Sequence, residues 1–305
     1  MVMSRAEVDQ LQPDALPLLE TYRNGEHSAL LAEVDQRSRS GPLPPDVLGL
    51  AAASLVALER YEEAATAARE AAGRAPRKAW LYHVLSRAEL GRGDRTRALE
   101  AAEAACRLLP GHPDYLATLA ACRRENGDAA AAAATARQAL LSAPDHPGAL
   151  NQLGLALAAS GDEAAALEQF TRAMEAAPQE PEAYLNAAAL HRKAGRVPEA
   201  RRVLKDALRH IPGLLEAEEQ LAGTVGSSPL VHGLLRHLIH LSRLTMTGWL
   251  IVAFIYYLFF RLLEFLWKYF PVLLPVSRVL LLVAAAWLLG GALCGRLLRL
   301  ALRRG

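Results

Sequence analysis

The sequence has little of what a disulfide-bonded or catalytic protein needs. Only three of the 305 residues are cysteines, and Cys106, Cys122 and Cys294 form neither a framework nor a paired spacing. This scarcity excludes a disulfide scaffold and indicates a reducing compartment, in which Cys106 and Cys122 are expected to be small buried thiols. The sequence also lacks a phosphate-binding loop, a nucleophile elbow and paired carboxylates in a catalytic context. We therefore expect a non-enzymatic protein with no cofactor and no metal.

The sequence shows no sign of an export signal and no even spread of charge. Residues 1–12 are polar and charged, without a basic start before an apolar run, so we expect no cleavable secretory signal. Residues 1–228 carry 25 basic and 31 acidic residues, a net charge of −6. Residues 229–305 carry nine basic residues and one acid, Glu264. The nearly neutral total therefore hides an acidic region and a basic, very apolar one. The frequent Ala, Arg, Leu and Gly suggest a bacterial source.

What the sequence does contain is a repeat with a fixed period of 34 residues. Five prolines mark it: Pro76, Pro110, Pro144, Pro178 and Pro212. Alanines stand twelve residues before each proline, at Ala64, Ala98, Ala132, Ala166 and Ala200, and five before it, at Ala71, Ala105, Ala139, Ala173 and Ala207. A small residue recurs earlier in each repeat: Ala52, Ser86, Ala120, Gly154 and Ala188. Small residues let two helices approach closely and proline ends the second helix, so the pattern predicts stacked helical pairs.

The period and pattern resemble the tetratricopeptide repeat (TPR) family, whose 34-residue unit is a helix–turn–helix. The family's turn glycine is present as Gly93, Gly127, Gly161 and Gly195, whereas the first repeat has Glu59 there. The family's aromatic residue eight positions before the proline is present only as Phe170. The resemblance covers residues 45–212. It implies an all-α fold in which five repeats form a right-handed superhelix, an α-solenoid.

The other segments flank this array. We interpret residues 1–44 as an N-terminal region with a degenerate capping helix pair. Residues 213–228 are predicted to be a short capping helix over 214–222 and a linker. Residues 229–305 are predicted to form an amphipathic helix and a two-helix membrane hairpin. The hairpin rests on two stretches of 17 uncharged residues each, 244–260 and 279–295, which flanking arginines can lengthen. A buried soluble helix pair or a re-entrant loop is the alternative.

The residues around the hairpin predict its orientation and its packing. Basic side chains crowd its outer ends: Arg236, Arg243, Arg296, Arg299, Arg303 and Arg304. The positive-inside rule then places both ends, and with them the repeats, in the cytoplasm at a bacterial inner membrane. We interpret this basic tail as a lipid-facing membrane flank, with no nucleic-acid partner. A spacing of small residues predicts close helix packing, within the hairpin or in self-association: Ala286, Gly290, Gly291 and Gly295.

The resemblance also implies which first-helix residues line a concave groove. Our candidates for partner contacts are Trp80, His83, Arg87, Arg124, Asn151, Gln152, Asn186 and Arg192. Aromatic, amide and arginine groups suit the capture of an extended peptide or a helix. A solvated face with no ligand is the alternative. The clamp by which some members hold a chaperone's C-terminal carboxylate is disfavoured, because its positions are Gly49, Ala53 and Val84 here.

Two functions follow from these features. The first is a membrane-anchored scaffold or adaptor that recruits a protein partner through its cytoplasmic groove. The second is a subunit of an oligomeric membrane complex or transporter in which the hairpin makes the assembly contacts.

Overall fold

A computed structural model describes Val8 and residues 11–225, and of residues 222–225 it describes the backbone only. All regular structure in these residues is helical. A short 3₁₀ helix (Pro13–Ala15) precedes helices α1 to α13. In order they are Leu16–Arg23, His27–Ser38, Pro45–Ala57, Tyr61–Arg74, Ala79–Arg92, Arg95–Leu108, Pro113–Glu125, Ala129–Ser142, Pro147–Ala159, Glu163–Ala176, Glu182–Lys193, Val197–His210 and Leu215–Val225. The all-helical repeat fold predicted from the sequence is thus confirmed.

Turns in the left-handed conformation separate the two helices of each repeat. Gly93, Gly127, Gly161 and Gly195 have φ angles of +85°, +87°, +88° and +73°. Glycine adopts this conformation without steric cost. In the first repeat Glu59 does so with φ +59°, where a side chain is disfavoured. The residue after three of the glycines caps the next helix: Asp94, Asp128 and Asp162 accept hydrogen bonds from the backbone N–H groups three residues on, at 3.1, 2.8 and 3.1 Å.

The described residues divide into two compact units between Ala177 and Pro178. The N-terminal unit contains α1 to α10, in which each helical pair packs against the next. Its contacts are made largely by alanine: in the third repeat Ala120, Ala132 and Ala136 form one buried cluster with Leu153. The fourth repeat differs, because the fully buried Phe170 lies against Gly154.

In the C-terminal unit, α12 packs against α11 and α13. Tyr184, Leu204 and Leu221 are buried between these helices. Helix α13 includes Val225, the last residue that the structure describes, and so extends at least three residues beyond the end predicted at Ala222. The prediction was too short because Gly223 lowers helix stability by only about 1 kcal/mol and no proline follows until Pro229.

The membrane predictions concern residues that the structure does not describe. The two proposed spans, the basic residues around them and the small-residue spacing at Gly290 and Gly295 all lie outside the described residues. Within residues 11–225, no helix combines the length and the apolar character needed to cross a bilayer. The hairpin and its orientation therefore stay predictions.

Candidate functional site

A cavity of about 330 Å³ opens in the N-terminal unit between the first helices of the second, third and fourth repeats, α5, α7 and α9. Its polar lining consists of His83, Arg87, Asp114, Thr118, His146 and Gln152. Leu90, Ala117 and Ala121 supply apolar surface between these groups. Three of the residues predicted from the sequence, His83, Arg87 and Gln152, are thus brought together by the fold. We call this cavity the groove pocket.

The arginines of this face differ in their partners. Arg124 Nη1 lies 2.7 Å from a carboxylate oxygen of Glu125, and its Nε donates to Gln152 Oε1 at 3.4 Å. Arg87, in contrast, makes no ion pair within the part of the chain that the structure describes. Its positive charge lies beside a neutral histidine and small apolar side chains. The part of the pocket formed by Arg87 is therefore complementary to a negatively charged or strongly accepting group.

His83 forms the buried side of the groove pocket. Its ring is 4% exposed, meets the ring of Tyr115 edge-on at 4.8 Å, and its Nε2 lies 3.1 Å from Thr118 Oγ1. The pKa of His83 is lowered from 6.5 to about 3, chiefly by burial and secondly by the positive charge of Arg87. The folded protein consequently holds this ring neutral at physiological pH.

This neutral ring predicts a loss of stability in mild acid. The pKa of His83 is about 3 in the folded chain and 6.5 as its ordinary value, so between these two pH values only the unfolded chain binds a proton there. The contribution of the neutral His83 ring to the free energy of unfolding is fully present above pH 6.5. It decreases as the pH is lowered toward 3, and about 2 kcal/mol of it is lost at pH 5. Urea unfolding followed by circular dichroism at pH 7 and pH 5 measures the difference.

The matched variants for this measurement are His83→Gln and His210→Gln. The first removes the buried ring and should flatten the dependence on pH, whereas the second removes an exposed histidine of the C-terminal unit and should preserve it. Equal dependence in wild type and His83→Gln would contradict the assignment.

Asp114 and His146 join two repeats at the opposite side of the groove pocket. His146 Nδ1 accepts a hydrogen bond from the N–H of Ala149 at 3.1 Å and so caps α9, and its Nε2 lies 3.0 Å from Asp114 Oδ1. Because Nδ1 is the acceptor, Nε2 carries the proton and donates to the carboxylate. Burial alone would raise the pKa of Asp114, but the His146 hydrogen bond and nearby histidines outweigh it and lower the pKa. Asp114 is thus an anion whose Oδ1 already accepts a hydrogen bond from His146.

Sequence reasoning missed Asp114, Thr118 and His146. Asp114 lies one period of 34 residues after Trp80, and Thr118 lies one period before Gln152, so the repeat itself was a signal that could have found them. His146 comes directly before Pro147, as His112 does before Pro113, and this recurrence one period apart was a signal available in the sequence.

Trp80 is not part of the accessible surface, contrary to the prediction. Its side chain is 2% exposed. The indole packs over Gly49, where a Cβ atom would lie 2.3 Å from Trp80 Cη2. The absence of a side chain at Gly49 makes room for the ring inside the core, so we remove Trp80 from the candidate contacts.

The remaining predicted residues lie apart from the groove pocket lining. Asn151 is nearly buried at 8% exposure, beside the pocket residue Gln152 on α9. Asn186 is half-buried and Arg192 is exposed, both in the C-terminal unit. Their roles stay predictions.

A larger cleft, of about 510 Å³, lies between α4, α5 and α6. Its buried Glu89 forms ion pairs with Arg69 and Arg92. The charge of Glu89 is thus balanced by two arginines within the fold, whereas Arg87 in the groove pocket has no such counter-charge among the described residues.

Comparisons with known proteins agree with the repeat assignment. Models described as tetratricopeptide repeat match residues 83–148, 119–181 and 157–218. No curated protein sequence matches the chain. Among solved structures, a thermophilic TPR protein from Thermus thermophilus is 23% identical, with a TM-score of 0.53, over 57% of this chain and 95% of that one.

Two further structures share the fold. The type IV pilus biogenesis factor PilW is 18% identical, with a TM-score of 0.51, over 68% of this chain and 98% of its own. The APC/C hetero-tetramer Cut9–Hcn1 is 17% identical, with a TM-score of 0.60, over 76% of this chain and 46% of that chain. At these identities the likeness concerns the fold alone. Together, the matched models and the helical pairs identify residues 83–218 as tetratricopeptide repeats.

Proposed function

We propose that this protein is a non-enzymatic, membrane-anchored scaffold that holds a segment of a partner protein in the groove pocket. The observation that carries the proposal is Arg87, whose charge is unpaired within the described residues although it lines a cavity with His83 and Gln152. A partner segment that places an acidic side chain against Arg87 would complete the site.

The lining of the groove pocket favours an extended peptide segment. Thr118 and Gln152 offer hydroxyl and amide groups that can bond to a peptide backbone, and Leu90, Ala117 and Ala121 accept small apolar side chains. The carboxylate of Asp114 accepts a hydrogen bond from His146 but keeps its negative charge, so an acidic group of the ligand would have to lie against Arg87 and away from Asp114. Together these groups suit a short segment with one acidic residue between small apolar ones.

The anchor is supported by the sequence alone. The stretches 244–260 and 279–295 contain no charged residue, and arginines flank both. These are the features of short membrane-spanning helices, and the excess of arginine at the outer ends favours a cytoplasmic location for the repeats at a bacterial inner membrane. Anchoring would hold the bound partner near the bilayer and so raise its local concentration there.

Selection from a random peptide library tests the groove. The full chain, reconstituted in lipid nanodiscs, should enrich phage-displayed peptides that contain an acidic residue. Arg87→Ala removes the unpaired charge and should weaken binding of the enriched peptides by about tenfold or more, as expected for the loss of a charge-assisted hydrogen bond. Affinities measured by fluorescence anisotropy provide the comparison.

The control variant is Arg137→Ala. Arg137 is an exposed arginine on α8 that does not line the groove pocket, so its loss should leave peptide affinity unchanged. Peptides that bind Arg87→Ala as tightly as wild type, or a selection that enriches no peptide, would refute the proposed groove function.

A further inference from the structure

The groove pocket is lined by one charge of each sign. Arg87 on α5 is its cation, and Asp114 on α7 is its anion. The two histidines of the lining are neutral. The pKa of His83 is lowered to about 3, chiefly by burial, and the Nδ1 atom of His146 accepts a hydrogen bond and so carries no proton. The third helix of the pocket, α9, contains no charged residue.

The other charged side chains of α5 and α7 have partners elsewhere in the fold. On α5, Glu89 forms ion pairs with two arginines. On α7, Glu125 pairs with Arg124 at 2.7 Å. Arg123 Nη1 donates a hydrogen bond to Thr135 Oγ1 at 2.5 Å. None of these groups lines the groove pocket, so they do not offset its two charges directly.

The two charges of the pocket are not paired with each other. Arg87 makes no ion pair within the part of the chain that the structure describes, and the hydrogen-bond partner of Asp114 is the neutral ring of His146. A carboxylate has about four lone-pair sites, so Asp114 can accept further donors beside His146. Both charged groups therefore have unused capacity to bond to a ligand.

Arg87 and Asp114 belong to opposite ends of the pocket. On α7 the lining residues run from Asp114 to Ala121, a rise of about 10 Å along the helix. Arg87 holds on α5 the repeat position that Ala121 holds on α7, because 34 residues separate them. Thr118 and Gln152 share a repeat position between these two ends. The pocket thus has an anionic end, a neutral polar middle and a cationic end.

We propose that the groove pocket recognises a partner segment that carries both charges, an acidic side chain against Arg87 and a basic side chain against Asp114, three residues apart. In an extended segment of polyproline-II type, residues i and i+3 lie on one side about 9 Å apart, which matches the length of the pocket. An acid alone would be attracted by Arg87 and repelled by Asp114, whereas a segment with both charges is attracted at both ends. This inference rests on the proposed groove function and specifies the chemistry of its ligand.

Peptides selected from a random phage-displayed library by the full chain in lipid nanodiscs test the second charge. We expect the enriched peptides to carry a lysine or arginine three residues from the acid, in either order. Each is then synthesised as selected, with the base replaced by glutamine, and with the acid replaced by glutamine. Loss of the base should weaken binding to the wild-type chain by about threefold to fivefold, as for a partly exposed ion pair. Fluorescence anisotropy measures the affinities.

Asp114→Asn assigns this loss to its partner. The amide oxygen can still accept from His146, but the charge is gone, so the variant should bind the peptides with and without the base equally. It should still bind the acid-containing peptide more tightly than the one without the acid. The control is Asp145→Asn, which removes the charge of an exposed aspartate directly before His146 that does not line the pocket. It should keep the wild-type preference for the base.

The failure of this inference differs from that of the groove function. Enriched peptides that carry an acid but no excess of basic residues would overturn the second charge, and this result needs the wild-type chain alone. A base whose removal weakens binding equally in wild type and Asp114→Asn would overturn it too. Either result leaves the groove function standing. A selection that enriches no peptide would overturn both.

Discussion

Phe170→Ala should lower the free energy of unfolding of the N-terminal unit by about 3–5 kcal/mol, the cost of removing a fully buried aromatic ring. Gly154, the residue opposite the ring, has no side chain that could fill the space left by its removal. Urea unfolding of the full chain in mild detergent, followed by far-ultraviolet circular dichroism, measures the loss.

The substitution Gly154→Ala tests the same contact from the other side. A Cβ atom at Gly154 would lie 2.6 Å from Phe170 Cε1 and 2.8 Å from Cδ1, so the substitution overpacks the site and should cost about 1–3 kcal/mol. The double variant reproduces the Ala120 and Ala136 pair of the third repeat. Because the three atoms nearest the added methyl group all belong to the ring, the double variant should lose less than the sum of the two single losses. Strict additivity would show that the two residues are not in contact.

Lys78→Met should destabilise the N-terminal unit by about 2–4 kcal/mol, since it leaves the buried carboxylate of Asp46 without its counter-charge. Asp46 is 0% exposed, and its two oxygens accept hydrogen bonds from Lys78 Nζ at 2.6 and 2.7 Å. The backbone N–H of Gln12 supplies a further donor at 2.8 Å. Lys78 itself is 21% exposed, which places the expected cost below that of a fully buried pair. The same urea titration measures it.

The matched variant is Asp46→Asn with Lys78→Met. An amide at residue 46 still accepts the Gln12 N–H but carries no charge, so the double variant should recover much of the stability lost in the single variant. A single variant within about 0.5 kcal/mol of wild type would show that the ion pair contributes nothing measurable.

The helical pairs were predictable because their signals are local and repeated. A proline follows the second helix of each repeat, and the glycines at Gly93, Gly127 and Gly161 supply the left-handed turns. Both act through the backbone of one or two residues, so the sequence pattern maps directly onto the structure. The exception is Glu59, which adopts the same turn without glycine because the two helices on either side of it impose that turn.

The candidate site was only partly predictable, because it depends on contacts between repeats. Family positions indicated His83, Arg87 and Gln152, which the fold places around one cavity, but they also indicated Trp80, which is buried. Whether a tryptophan faces the groove or the core is decided by the residue opposite, and here Gly49 leaves the space that the ring fills. A prediction based only on position within one repeat does not take into account the residue that faces it from the neighbouring repeat.

The hydrogen bond between Asp114 and His146 was missed for a related reason. His146 lies before the first residue of α9, where its Nδ1 caps the helix, and only this capping fixes the direction of its Nε2 toward Asp114. The two residues are 32 positions apart along the chain, which differs from the 34-residue period. The repeat pattern therefore does not mark them as a pair.

The contact between Gly154 and Phe170 also restricts how this gene can recombine. Contacts made through alanine methyl groups, such as those of Ala120 and Ala136 in the third repeat, place no such restriction on the exchange of 34-residue units. A crossover between codons 154 and 170 would instead separate the glycine from the ring, and the product would inherit either a clash or a void. Residues 154 and 170 would therefore have to be exchanged together for the fourth repeat to keep its packing.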